Sequence, residues 1–293
     1  MSPAKAFKVI LSESGDNKIV LHILELLKLG FTMKNDHFFL FFLLGVCALF
    51  ASLRADYYEN QGDQIFVGPE IYYVERTKKA GAKQDGYLYG VRLGYERIKK
   101  DKIYVGVDFL YAEGSMKGKL GEEKIKSILT DINIEERIGY TLASNCGWKP
   151  SFTPYIGVGK FWEKNEYKHP SPFRFHFYNS FLYIPIGFSS HLDFTDNFRM
   201  GINFKARYIL DSHHTITHDS EFGKIHQKYE EKVQYRVELP MTYFTCFSQK
   251  KVSVSLVPFY EYRHYGYRIN FPFDFIETKF NLYGANLKLL YLF

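Results

Sequence analysis

Three short stretches carry side chains that could do chemistry. Asp211-Ser212-His213 sets a carboxylate two residues before an imidazole. On a strand the two would share a face, so the acid could orient the ring to activate a water. His169-Pro170-Ser171 puts a hydroxyl near a second imidazole, but its Pro-rich surroundings provide no rigid strand to hold the hydroxyl against the ring. His213, His214, His218 and His226, with Asp219 and Glu221, form the third. Imidazoles at that loose spacing could ligate Zn²⁺ or Cu²⁺. Each has a blander counterpart. The chain has ten histidines, a chance Asp-x-His is unsurprising, and a solvated loop accounts for the rest.

Chemistry needs a frame, and the frame is an alternation of period two. In Phe198–Leu210, Phe198, Met200, Ile202, Phe204, Ala206, Tyr208 and Leu210 share one face, against Arg199, Gly201, Asn203, Lys205 and Arg207 on the other. A helix would scatter those charges through its apolar side, so the segment reads as a strand. The same scheme recurs in Tyr87–Glu96, Ile103–Tyr111, Ile128–Tyr140 and Val233–Tyr243. It returns less regularly in Gln64–Glu75, Phe152–Lys164, Phe177–Leu192 and Val252–Arg263, and again in Tyr283–Phe293. The fold class expected is all-β, a single antiparallel up-and-down transmembrane β-barrel of about ten strands, with eight or twelve as alternatives.

Connections and composition favour a bilayer over a soluble sandwich. Short polar turns at Lys99–Asp101, Ser144–Pro150, Asp193–Asn197 and Ser248–Lys251 alternate with longer charged loops. Those loops are expected at Thr77–Asp85, Gly114–Lys126, Asn165–His176, Asp211–Glu231 and His264–Thr278. An 18% aromatic content stands beside a mean hydropathy of −0.24, as strands with one apolar and one polar face would give. In hydrocarbon every backbone N–H and C=O needs a partner within the protein, so such a sheet must close. The formal charge of +6 is spread without a dense basic block, and no zinc-finger or RNA-recognition signature is present; nucleic acid is therefore not an expected partner.

At the N-terminal end, Lys34, the apolar run Phe38–Phe50 and small Ala55 have the form of an export signal too short to span as a helix. The domain expectation is an upstream extension over 1–32, with translation starting at Met33. A signal peptide follows over 33–55 and the barrel over 56–293. Cys146 and Cys246 could pair only if their Cα atoms lie close, which sequence does not give.

Phe293, Tyr291, Leu289 and Leu287 end the chain on an aromatic preceded by alternating apolar residues. With Thr153–Trp162 and Phe181–Phe194 they make the chain resemble bacterial outer-membrane β-barrel proteins. The resemblance implies export to the bacterial outer membrane. It also implies that periplasmic chaperones and the barrel-assembly machinery recognise that last strand. Asp211 and His213 resemble half of the omptin protease site; that family also requires a facing pair of aspartates, where Gly114–Lys126 offers only Glu122 and Glu123.

Inward positions mix both signs: Glu70, Arg92, Glu96, Asp108, Asp131, Glu135, Arg137, Arg199, Lys205, Arg207, Arg236, Glu238, Glu261, Arg263 and Lys288. A paired network filling a narrow lumen is expected. Glu136 is the exception on the apolar face and is expected near a rim. Lys78, Lys79, Lys83, Lys117 and Lys119 would meet lipopolysaccharide phosphates beside outer-membrane lipid. Trp148 and Trp162 would join interfacial girdles. The whole reads as a monomeric outer-membrane barrel without a cofactor, with a structural, surface-contact or narrow-channel role. The competing expectation is a surface hydrolase using Asp211 and His213.

Overall fold

A computed structural model describes residues 62–144, 149–172, 175–195, 197–219, 223–247 and 250–293. Met1–Ala55 and Asp56–Phe293 form separate units, and every described residue belongs to the second. The expected extension and signal peptide, Cys146, Trp148 and the Cys246 side chain lie outside the described residues.

Alternation becomes strand wherever it was expected, apart from an interruption within Val233–Tyr243. The strands are β1 (Gly62–Lys78), β2 (Lys83–Ile98), β3 (Lys102–Leu120), β4 (Glu123–Ala143), β5 (Ser151–Lys168), β6 (His176–Thr195) and β7 (Phe198–Asp219). After them come β8 (Gly223–Gln227), β9 (Glu230–Glu231), β10 (Gln234–Glu238), β11 (Met241–Phe247), β12 (Lys250–Gly266) and β13 (Thr278–Leu292). Every pairing is antiparallel, β1 to β7 pair each with the next in the chain, and β13 returns to β1, from Gln64 opposite Leu292 to Lys78 opposite Thr278. β9, β10 and β11 together make one stave between β7 and β12, so ten staves close the barrel, and β8 adds to β7 alone.

That composite stave breaks at Leu239–Pro240, because proline has no N–H to donate. The ladder bridges the break through Leu239 N–H to Pro258 O at 3.0 Å and Gly201 N–H to Pro240 O at 2.9 Å. No backbone edge is left open there.

Two expected loops are strand. Thr77–Asp85 shrinks to a turn over 79–82, and Gly114–Lys126 to a turn over 121–122. Their charges misled because Lys117, Lys119, Lys124 and Lys126 alternate with buried Met116, Ile125 and Ser127. The strands simply run past the apolar belt, with lysine replacing leucine on the outward face. Asp211–Glu231 likewise contains the end of β7, β8 and β9, whereas 267–277 stays a connection with a single bridge, Arg268 to Phe275.

Outward faces carry the apolar belt. Ile65, Val67, Ile71, Val91, Leu93, Ile202, Leu256, Leu287 and Leu289 are all exposed. Aromatics bound it at both ends. Tyr73 packs on Tyr87, and Tyr260 on Tyr283 and Tyr235, toward the rim away from the chain end. At the other end Phe152 meets Phe188, Phe194 meets Phe198, and Tyr291 meets Phe293. We call the rim with Gly62 and Phe293 proximal and the other distal. The terminal stripe of Leu287, Leu289, Tyr291 and Phe293 faces outward, and Phe293 N–H donates to Asp63 O at 2.9 Å.

Candidate functional site

The lumen is built by the inward half of each alternation, and its character changes along the barrel. On β1 the inward order from proximal to distal is Phe66, Glu70, Tyr72, Val74 and Arg76. Neighbouring strands repeat that order: open space, then charge, then apolar packing, then a polar rim.

Near the proximal rim lies a cavity of about 90 Å³, lined among others by Glu96, Arg137, His191, Arg199, Thr242 and Lys288. Farther along the lumen, glycine makes close contacts possible. A Cβ on Gly159 would meet the Tyr183 ring at 2.3 Å, so only glycine lets that ring lie across the strand. Arg137 reaches Glu96 at 3.3 Å, and Arg199 holds Asp193. Lys288 lies 4.2 Å from the Phe66 ring centroid.

At mid-height a continuous ionic web crosses the lumen. Arg92 donates to Asp108 at 2.8 Å and to Glu70 at 3.0 Å. Arg236 reaches Glu238 at 2.7 Å, Glu261 at 3.1 Å and Glu70 at 3.3 Å. Arg207 binds Glu261 at 2.7 Å; Arg263 binds Glu261 at 2.6 Å and Asp131 at 2.8 Å. Lys205 meets Glu135 at 2.8 Å. Arg263 on β12 and Asp131 on β4 have four staves between them either way round the barrel, so their bond ties opposite walls together. Each buried charge meets an opposite one, the condition under which such a layer stabilises rather than disrupts. The fifteen inward charges named from sequence thus fall on lumen-facing positions, from the web down to the proximal cavity.

Distal to the web the lumen is filled by apolar side chains: Phe161, Phe181, Leu110, Leu129, Met116, Leu282 and Phe280, with Tyr229 and Phe275 from the distal connections. Tyrosines join the two layers, with rings in the apolar layer and hydroxyls in the web. Tyr72 donates to Asp131 at 2.8 Å, Tyr183 to Glu135 at 2.7 Å, and Tyr265 to Glu163 at 3.0 Å. Arg263 and Arg236 lie over the rings of Phe161 and Phe259 at 4.5 and 3.6 Å. Glu163 belongs to this site, and sequence reading missed it. The charged outward residues Lys160, Lys164 and Glu166 hid its alternation with Phe161 and Asn165.

The chemistry-bearing histidines go different ways. Asp211 Oδ2 and His213 Nε2 are 2.8 Å apart, and Lys228 holds the other oxygen of Asp211 at 3.0 Å. A bulge decides where they point. Tyr183 pairs with Ile209 and Leu182 with Asp211, so Leu210 is an extra residue and the parity of β7 reverses there. Ser212 and His214 turn inward and are buried, while Asp211 and His213 face out of the barrel. Glu122 and Glu123 sit at the β3–β4 connection, with β5 and β6 between them and β7.

His214 packs on Phe177 and bonds Asn179, and His226 meets Thr215 at 3.2 Å. The His218 side chain is outside the described residues. Among the described residues no group of three or more His, Cys, Asp or Glu is placed to hold a metal ion. His169 and Ser171 lie in the β5–β6 connection, off the strands.

Outer lysines divide similarly. Lys78 turns inward over the Phe177 ring at 4.7 Å, and Lys79 approaches Glu277 at 3.9 Å. Glu277 lies in the β12–β13 connection, and hydrogen bonds from Lys279 and His264 hold its carboxyl below the usual range. Lys83, Lys119 and Lys124 stand directly opposite one another on three adjacent strands, as do Lys117, Lys126 and Lys168.

No family model and no curated protein matches the chain. Solved structures do. The outer membrane protease OmpT from Escherichia coli is 12% identical, covering 83% of this chain and 99% of its own, with a TM-score of 0.51. The transport unit of the autotransporter AIDA-I from Escherichia coli is 9% identical over 83% and 94%, at 0.46. The outer membrane protein OprG from Pseudomonas aeruginosa is 10% identical over 80% and 97%, at 0.36. At these identities the likeness to OmpT concerns architecture, and it agrees with the closed sheet and outward apolar belt described above. The chain has the fold of the bacterial outer-membrane β-barrel proteins.

Proposed function

We propose that the protein resides in the bacterial outer membrane as an occluded barrel that acts through its outer surface rather than by conducting solutes. One observation carries this: a cross-linked ionic web backed by a layer of fully buried rings. A passing solute would have to break buried ion pairs and displace packed aromatics at once, each of which costs several kcal/mol. The exposed belt between aromatic girdles supports residence in a bilayer, and the terminal apolar stripe supports recognition by chaperones and assembly machinery. Directly opposed lysines repel one another. The row of Lys83, Lys119 and Lys124 therefore favours contact with anionic phosphates such as those of lipopolysaccharide, which would offset that cost, whereas in the other row Lys117 also faces Asp85 and Lys168 meets Glu166 at 3.2 Å.

Enzyme chemistry has weaker support. Asp211 and His213 have the spacing of an acid–base pair, but they point away from the barrel mouth, and Lys228 neutralises the acid. The test is conductance of the purified full-length protein in planar bilayers. The expected result is a silent membrane under applied voltage; steady single-channel steps would overturn the proposal.

A further inference from the structure

Between the two girdles, only two outward-facing side chains of the ten staves carry charge among the described residues: Glu136 and Lys160. They are of opposite sign and lie on adjacent strands. Glu136 stands opposite Val107 on β3 and Val158 on β5, with Ile134 and Ile138 as its outward neighbours on β4. Lys160 is the next outward residue after Val158, opposite Ile134 and Leu182. From sequence Glu136 is expected near a rim, but the register puts it midway along the belt. The row of Tyr111, Ile132 and Trp162 lies on its distal side and Tyr140 on its proximal side.

Within the chain the two do not satisfy each other. Glu136 Oε1 is shielded by its neighbours yet has no hydrogen-bond partner among the described residues. The Lys160 ammonium leans distally over Trp162, 5.2 Å from the ring centroid. A charge on the lipid face of a barrel costs most at the midplane, so this patch is the one place where the belt calls for a partner other than acyl chains.

We infer that the outward face of β3, β4 and β5 is an interface with a second copy of this chain. In it, Glu136 of one protomer pairs with Lys160 of the other, twice, around a two-fold axis along the membrane normal. The patch is self-complementary in the sense a two-fold contact requires, since the acid and base are separate residues displaced from the axis. The surrounding Val107, Phe109, Ile138 and Val158, half-buried above Ile134, supply the apolar rim of such a contact. This departs from the monomer expected from sequence.

The experiment exploits reciprocity. Full-length protein in mild detergent is sized by light scattering with the detergent contribution subtracted, and mixing of two fluorescent labels is read in vesicles. Wild type is expected as a dimer. Glu136→Lys alone and Lys160→Glu alone each place like charges across the axis, weakening association tenfold or more. An equimolar mixture of the two variants regains the dimer as a heterodimer, because every contact is again of opposite sign. A Glu–Lys pair closed within one chain, or a Lys160 that only reaches toward headgroups, gives no such rescue. Glu136→Gln with Lys160→Gln serves as the milder pair if a charge-reversed variant fails to fold, and both are expected to weaken association. A monomeric wild type, or a mixture without heterodimer, overturns the interface.

Discussion

Replacing Arg263 with methionine is expected to cost the barrel about 3–5 kcal/mol of stability, the range for breaking a buried ion pair from one side. Arg263 is among the largest fully buried side chains, and its guanidinium is shared by Glu261 at 2.6 Å and Asp131 at 2.8 Å, with Glu163 at 3.9 Å. Without it those acids lose a common counter-charge in a space with little water. Arg207 and Arg236 would still reach Glu261, but Asp131 would retain chiefly the Tyr72 hydroxyl. The measurement is urea unfolding in detergent, followed by tryptophan fluorescence or by the mobility difference between folded and unfolded barrel on gels. Asp131→Asn in the same background should recover part of the loss, because the orphaned charge is then gone. Arg199→Met is the comparison: among the described residues its carboxylate partner is Asp193 alone, at the proximal rim, and a clearly smaller loss is expected. Equal effects from Arg263 and Arg199 would mean that the web is not a stabilising layer.

Phe161→Ala should be comparably severe, at about 3–5 kcal/mol, for a different reason. Its ring is fully buried, stacks on Phe181 with centroids 5.0 Å apart, and forms the face on which the Arg263 guanidinium rests. Truncation leaves a void in the apolar layer and removes the surface that orients the web beneath it. The two substitutions touch, so their effects should not add. The Phe161→Ala, Arg263→Met double variant should lose clearly less than the two singles summed, read in the same unfolding assay. Strict additivity would show that the apolar and ionic layers are independent.

Much of this architecture was legible in the residues because one side of each strand meets a single kind of surroundings. Phe198–Leu210 and Lys232–Phe244 declare their faces plainly: every charge falls on one parity. The ten-stave count and the closing strand followed from the same signal. What stayed hidden was set by register and local irregularity. Leu210 is one apolar residue among several, yet as a bulge it turns Asp211 and His213 outward and Ser212 and His214 inward. Nothing in the local composition marks it. The Lys117–Lys126 hairpin reads as a loop because its charges mimic irregularity, when they mark only where an outward face turns from apolar to wet. Glu163 was obscured by charges on the opposite face, and the depth of Glu136 needed the pairing of three strands.

The most direct test of the central claim is a spin-label scan along β7. Single cysteines are placed from 198 to 214 in a background without the native thiols, in bilayers. Oxygen reports exposure to acyl chains and a water-soluble nickel complex reports aqueous access. Labels at even positions through 208 are expected to respond to oxygen and not to nickel. Odd positions at 207 and 209 should respond to neither, because the lumen there is packed. Beyond 210 the parity should invert, leaving 212 and 214 shielded while 211 and 213 meet nickel. Nickel reaching 207 and 209, or a period near 3.6 residues, would contradict a sealed barrel with its apolar face in lipid.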